Sequence, residues 1–350
     1  MTAGMTSASR LAPLTAHNLD ADTFDPLIPR VAQQAITRSP IRLPWEARVL
    51  PLGMFFRSAR ANNNANGDGN PFAPQSAFDA ESLSSTPVVF TAYDGGGRFR
   101  SSEAIGSSAS TDHLSVGGGV GVDLGFLDAS VSVQYDRDVL ENRDSTKVSV
   151  TTSYRAGSVV FARPPELSAD AFQILYGRGP DEFKAIFGDY YVGGYRIGGD
   201  ASVLFSTDTS SRSETETKSV KISVESWFGD YHKEWSTSST STEHHAEVRV
   251  SAYSTLEQAL VGETVMIGTA RFQAAIEQAQ GIHQRAQGLA DSIAKELAQI
   301  GVKKGKLVTQ QQCIQLCESG AVIELLLLPV ESLRQVRYWT LLQSSRESFD

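Results

Sequence analysis

The sequence predicts an α+β protein, with strands and helices in separate stretches of the chain. Apolar residues alternate at period two through much of 114–161. Two short helix-like runs follow between Ser168 and Gly188, and a single apolar stripe at three-or-four spacing runs from about Ala270 to Ile300. The 350 residues suffice for a sizeable core, and the apolar (41%) and charged (20%) fractions are those of a globular chain rather than a disordered one.

Residues 1–45 show little periodicity and several prolines, which reads as an extended or loosely helical arm. "NNNANGDGNPFAP", Asn62 to Pro74, is turn and loop chemistry. "TPVVFTAYD", Thr86 to Asp94, reads as a strand broken by Gly95–Gly97. From Leu114 the alternation Leu114, Val116, Gly118, Val120, Val122, Leu124 sets one face of a long strand. Val131, Val133 and Tyr135 repeat the pattern, as do Val148 and Val150, with Val159 to Phe161 following.

"SADAFQILYG" and "PDEFKAIFG" then read as helices, each stopped by glycine, the second opening on Pro180, Asp181 and Glu182. "YYVGGYRIGGDASVLF" returns to extended chain. Residues 206–245 are rich in Ser and Thr, yet Val220, Ile222 and Val224 alternate, and Trp227, Phe228, Tyr231 and Trp235 cluster around Gly229-Asp230. "AEVRVSAYS" is another alternating run. Phe272, Ile276, Ala279, Ile282, Ala286, Leu289, Ile293, Leu297 and Ile300 make the stripe of the long helix. "AVIELLLLPV" carries Glu324 and stops at Pro329, so it reads as a late buried strand, and "VESLRQVRYWTLL" as a closing helix or strand.

Several kinds of chemistry find no support. A net charge of −9 argues against nucleic acid as a partner, because phosphate binding needs clustered Lys and Arg. No run reaches the ~20 apolar residues of a spanning helix. The N-terminal stretch shows no apolar h-region, which leads to the expectation of a soluble chain, cytoplasmic or released by a non-classical route. Cys313 and Cys317, four apart, share a helix face and are poorly placed to bridge each other. In "SVGGGVGVDLG" the dinucleotide fingerprint fails in register, since counting from Gly119 and Gly121 the third glycine position is Leu124. His244 and His245 are adjacent and point apart on a strand, so they do not converge on a metal. Neither cofactor nor metal is expected, and with no nucleophile, acid or base arrangement the chain reads as a non-enzyme.

The stretch Phe187-Gly188-Asp189-Tyr190-Tyr191, six residues "VGGYRI", then Gly198-Gly199 has the form aromatic-Gly-x-x-aromatic, six residues, Gly-Gly. This resembles the signature of the membrane-attack-complex/perforin (MACPF) superfamily, whose usual form is Tyr-Gly-Thr-His-Tyr/Phe, six residues, Gly-Gly. Spacing matches without a gap. Phe187, Asp189 and Tyr190 stand where the family has Tyr, Thr and His, which marks a divergent single-domain member. The resemblance covers about residues 45–340, and "AVIELLLLPVESL" is similar to the family's late strand.

The resemblance implies a MACPF/cholesterol-dependent-cytolysin-like fold: a bent, twisted antiparallel sheet flanked by helical clusters. It divides the chain into the arm 1–45, a MACPF-like domain 46–342 and a tail 343–350. It marks Phe187, Gly188, Tyr191, Gly198 and Gly199 as signature or hinge residues. Gly188 is expected to end a helix, and Gly193, Gly194, Gly198 and Gly199 to let a strand bend. The blocks at about 100–145 and 206–245 stand where pore-forming members convert helical clusters to β-hairpins. There Val220, Ile222, Val224 and Trp227 would form a lipid-facing row, with Trp227 and Trp235 at the membrane interface.

Three readings stay open at this stage. One is a pore-forming or membrane-acting protein that assembles as a homo-oligomer on a lipid membrane, reached through a separate targeting protein. Another is a non-lytic member acting by binding in defence or development. The last is a small-molecule-binding protein or enzyme on the same scaffold, with a pocket lined by Tyr190, Tyr191 and Tyr195 or by the cluster around Trp227.

Overall fold

A computed structural model describes residues 38–45, 49–61, 70–93, 98–105, 148–207, 247–257, 259–266 and 269–347. Within them the α+β expectation holds, as one antiparallel sheet of nine strands with helices packed against it. The strands are β1 (Ile41–Pro44), β2 (Phe55–Phe56), β3 (Val88–Ala92), β4 (Arg98–Ile105), β5 (Val148–Phe161), β6 (Tyr190–Thr207), β7 (Glu247–Ser254), β8 (Ala259–Met266) and β9 (Val322–Pro329). The helices are α1 (Ser58–Ala61), α2 (Ala80–Ser85), α3 (Ala169–Arg178), α4 (Pro180–Ile186), α5 (Ala270–Gln287), α6 (Leu289–Ile300), α7 (Gln310–Glu318) and α8 (Arg334–Glu347).

β6, the eighteen-residue strand that carries the glycine-aromatic stretch, is the hub. It pairs with β5 along one side, and with β9 and then β7 along the other. β4 and β3 share the far side of β5, and β8 extends the sheet beyond β7. β9 also pairs with β1 along its other edge, and "VIELLLLP" is largely buried on both faces.

Three register shifts interrupt this sheet. Ala156 is the extra residue of β5 opposite Gly198 and Ile197, Gly193 that of β6 opposite β9, and Ile323 that of β9 opposite Arg196 and Ile197. An extra residue bends its strand and raises the local twist, so the bend of the sheet gathers around the middle of β6.

Two apolar layers fix the helices. Leu289, Ile293 and Leu297 of α6, with Cys313, Leu316 and Cys317 of α7, pack on Tyr195, Ile197, Leu325 and Leu327. At the start of β6 a second cluster joins Phe55, Phe78, Leu175, Phe183, Phe187, Tyr191, Leu333 and Val336, drawing in α3, α4 and α8. Ser168 caps α3 through Ala171 N–H, Pro180 opens α4, and Thr309 with Gln312 forms a capping box on α7.

Several boundaries differ from the sequence expectations. The stripe from Ala270 to Ile300 is two helices, not one, meeting at Gly288. Ile41 and Leu43, assigned to the arm, are fully buried, because β1 lays them against Leu327 and Leu325 of β9. "VESLRQVRYWTLL" becomes a short 3-10 turn and then α8, which runs on to Glu347 through the start of the expected tail. The alternating runs at 114–135, the block 208–246 and residues 1–37 of the arm lie outside the described residues.

Candidate functional site

The aromatic half of the signature is a clamp. Phe187 caps α4 and is buried, its ring 5.1 Å from Phe183 and 6.2 Å from Phe55. Gly188 follows with φ of 125°, and a Cβ there would lie 2.4 Å from the Phe56 carbonyl oxygen. Only glycine fits both constraints.

Asp189, at the family's Thr position, binds the chain entering α1. Its Oδ1 accepts from Ser58 N–H at 2.8 Å, and its Oδ2 accepts from the Ser58 hydroxyl. Its own N–H donates to Phe56 O, while its carbonyl accepts from Val330 N–H. Residues from three distant parts of the chain are thus tied at the first turn of β6.

The three tyrosine hydroxyls are engaged within the protein. Tyr190 donates to Ser39 O at 3.0 Å, Tyr195 donates to Leu50 O, and the Tyr191 and Ser332 hydroxyls are 3.4 Å apart. Burial is the main cause that pushes all three phenols above the ordinary tyrosine range. They hold strands in place.

Gly198 and Gly199 sit where layers press on β6. A Cβ on Gly198 would meet the Tyr154 carbonyl oxygen of β5 at 2.1 Å, and one on Gly199 would meet Leu289 Cδ1 of α6 at 2.7 Å. Neither glycine has positive φ. Their role is close approach, with the Ala156 bulge of β5 directly opposite. Gly193 is itself a bulge residue, under Leu328.

Beside this crossing lies a feature that the sequence reading passed over. Arg155, the partner of Gly198, reaches Asp200 through two nitrogens at 2.5 and 3.0 Å, and Arg196 meets Glu324 at 3.2 Å. Its only sequence signal was Glu324, a lone charge inside an apolar run.

Toward the opposite end of β6 four strands stand in one row, with β6 and β7 running a little past it. Ile105, Val148, Phe205 and Val250 are successive Cα partners across β4, β5, β6 and β7. Residues 106–147 join β4 to β5, and 208–246 join β6 to β7, so both links leave from the same end of the sheet. The proposed membrane-facing residues Val220, Ile222, Val224, Trp227 and Trp235 fall in the second link, outside the described residues. Among the described residues, no helix is long and apolar enough to cross a membrane, and no group of three His, Cys, Asp or Glu residues gathers to hold a metal.

No family model matches the chain, and no curated protein does. Its similarities to solved structures are weak and include toxins and a MAC/Perforin-domain protein. A Gram-negative toxin aligns at 11% identity over 71% of this chain and 43% of its own, with a TM-score of 0.28. GNIP1Aa from Chromobacterium piscinae aligns at 14% over 89% and 56%, with a TM-score of 0.31. A protein with a MAC/Perforin domain from Bacteroides thetaiotaomicron aligns at 13% over 69% and 57%, with a TM-score of 0.24. The chain spans about half the length of these structures.

Proposed function

We propose that this chain is a MACPF-like, membrane-interacting protein that oligomerises and converts its stretches at about 100–145 and 206–245 to β-hairpins. The observation that carries the reading is the in-line row Ile105, Val148, Phe205 and Val250. A link between antiparallel neighbours needs only about two to five residues, and each of these is roughly forty long. A membrane-spanning hairpin takes two strands of ~9–11 residues plus a turn, which either link can supply. Both hairpins would continue strands already paired, with no change of register. The alternation of Val220, Ile222 and Val224 supplies a lipid-facing row in the second, with Trp227 and Trp235 at its interface.

The sheet in this reading is the bent, twisted one of the MACPF and cholesterol-dependent cytolysin folds, and the three bulges support it. The partners are a lipid membrane, reached through a separate targeting protein, and further copies of the chain. Dye release from liposomes, with and without candidate receptors, is the test, alongside cross-linking of membrane-bound protein. Leakage together with ring-sized oligomers is expected; neither under any lipid composition sinks the proposal.

One observation favours a non-lytic second reading. "STSSTST", Ser236 to Thr242, offers Ser and Thr where the returning strand needs an apolar face. On that reading the protein stays monomeric on membranes, and 208–246 gains no protection from hydrogen exchange there.

A further inference from the structure

Four charged side chains meet inside the sheet where β5, β6 and β9 run side by side. Arg155 is spent on Asp200, with its Nη1 also donating to the carbonyls of Tyr154 and Gly199 at 3.2 and 3.3 Å. Arg196 is divided between Glu324, which its Nη1 meets at 3.2 Å, and the Tyr93 hydroxyl, which accepts from its Nε and Nη2 at 3.1 and 2.9 Å. Glu324 is 3% exposed; Arg196 holds its Oε2, while its Oε1 has no hydrogen bond and lies 3.9 Å from Arg155 Nη2. The bulge at Ile323 adjoins Glu324 in β9, and that at Ala156 adjoins Arg155 in β5.

We infer that the Arg155–Asp200–Arg196–Glu324 cluster is a pH-dependent latch on the β6–β9 seam, firm in acid and looser toward neutral pH. An ionised Glu324 must give up water while one oxygen gains no donor in return. Arg196 keeps part of its surface in solvent and holds the Tyr93 hydroxyl, so it tolerates a neutral partner. The charged and titratable groups facing Glu324 are Arg155 from β5, Arg196 and Asp200 from β6 and Arg42 from β1, with Tyr253 of β7 acting on Arg155. Burial is the largest influence on Glu324, followed by the opposing arginines, and the net effect raises its pKa above the ordinary carboxylate range.

The direction of the pH effect follows from that. The closed seam binds the proton more tightly than an opened, hydrated one. Its stabilisation is complete below the ordinary carboxylate range and is lost as pH rises through the raised value. The seam joins β6 to the strand that holds β1, so loosening it frees one flank of the sheet. This latch stands or falls separately from membrane action, because its test reads the folded protein in water.

The experiment is native-state hydrogen exchange of the Val322–Pro329 amides from about pH 5 to pH 8, corrected for intrinsic exchange, in wild type, Glu324→Gln and Asp200→Asn. In wild type the opening equilibrium should rise with pH, by up to about tenfold per unit within the titration window. Glu324→Gln should flatten that slope, and Asp200→Asn should narrow the pH range over which it runs, because Asp200 occupies Arg155 and helps to raise Glu324. A wild-type equilibrium that is flat or falls with pH overturns the latch, as does a Glu324→Gln protein with the wild-type slope. Should Glu324→Gln fail to fold, a carboxyl carbon NMR titration of Glu324 in wild type decides. A midpoint above the ordinary range supports the latch, and one at or below it overturns it.

Discussion

Gly198 on β6 and Tyr154 on β5 approach so closely that a Cβ on the glycine would lie 2.1 Å from the tyrosine's carbonyl oxygen. The obstructing atom is backbone, held in the β5–β6 ladder at the neighbouring pair Tyr154 and Gly199. Gly199 meets instead the methyl end of Leu289, which can rotate away. Gly198→Ala should therefore cost about 3 kcal/mol and Gly199→Ala about 1 kcal/mol. Urea denaturation of the two variants separates them; equal costs, or the reverse order, would remove the close-approach account.

Asp189 gives a second test. It satisfies both the N–H and the hydroxyl of Ser58, 131 residues away, at the point where β2 passes into α1. Asp189→Ala should cost about 1–3 kcal/mol, because two partly buried donors lose their acceptor. Asp189→Thr, the residue the MACPF signature carries there, keeps one acceptor and should recover part of the loss. Thermal unfolding of both variants checks this, and an Ala variant as stable as wild type would show the clamp to be idle.

How far the sequence revealed these features depended on the range of each interaction. Alternation within β5 and the glycine stop after α4 are local, and were legible, whereas α3 runs through Gly177, where the sequence put its stop, and ends at Gly179. The break at Gly288 was not, because the apolar stripe keeps its phase from Ala286 through Leu289 and periodicity is blind to a cap. β1 was missed for its length, two buried residues in a four-residue strand that follows Pro40 and ends on Pro44. The spacing of the signature was visible, whereas the partner of Asp189 was not. The charge cluster joins residues 45 and 128 positions apart, and only the fold brings those together.

Cys313 and Cys317 lie one helical turn apart on α7, buried against the sheet and not bridged. Burial, with Cys317 adding to it, pushes the Cys313 thiol up to about 12, and burial also raises Cys317. Both should resist Ellman's reagent in the folded protein at about pH 8 and react once urea unfolds it. A thiol whose folded pKa is raised stabilises the fold fully below its unfolded value. That contribution fades as pH climbs toward about 12. Prompt reaction of the folded protein would contradict this placement.

Thr207 and Val248 are Cα partners at the last step of the β6–β7 ladder, so a tight turn can replace the link between them. In a chain reading Thr207-Asn-Gly-Val248, the two-residue loop suits a type I′ turn and the ladder is left as it stands. Shortening the loop from roughly forty residues to two lowers the closure entropy, by about 0.6 kcal/mol per halving, so stability should hold or rise by up to about 2.6 kcal/mol. Dye release from liposomes should vanish in the same protein, because one of the two proposed hairpins has gone. If the shortened protein folds and still leaks liposomes as wild type does, residues 208–246 are not part of the membrane-acting machinery. If it fails to fold, the link contributes to the core and the conversion of 206–245 proposed above loses its basis, since a segment that must leave the fold cannot also be required to hold it.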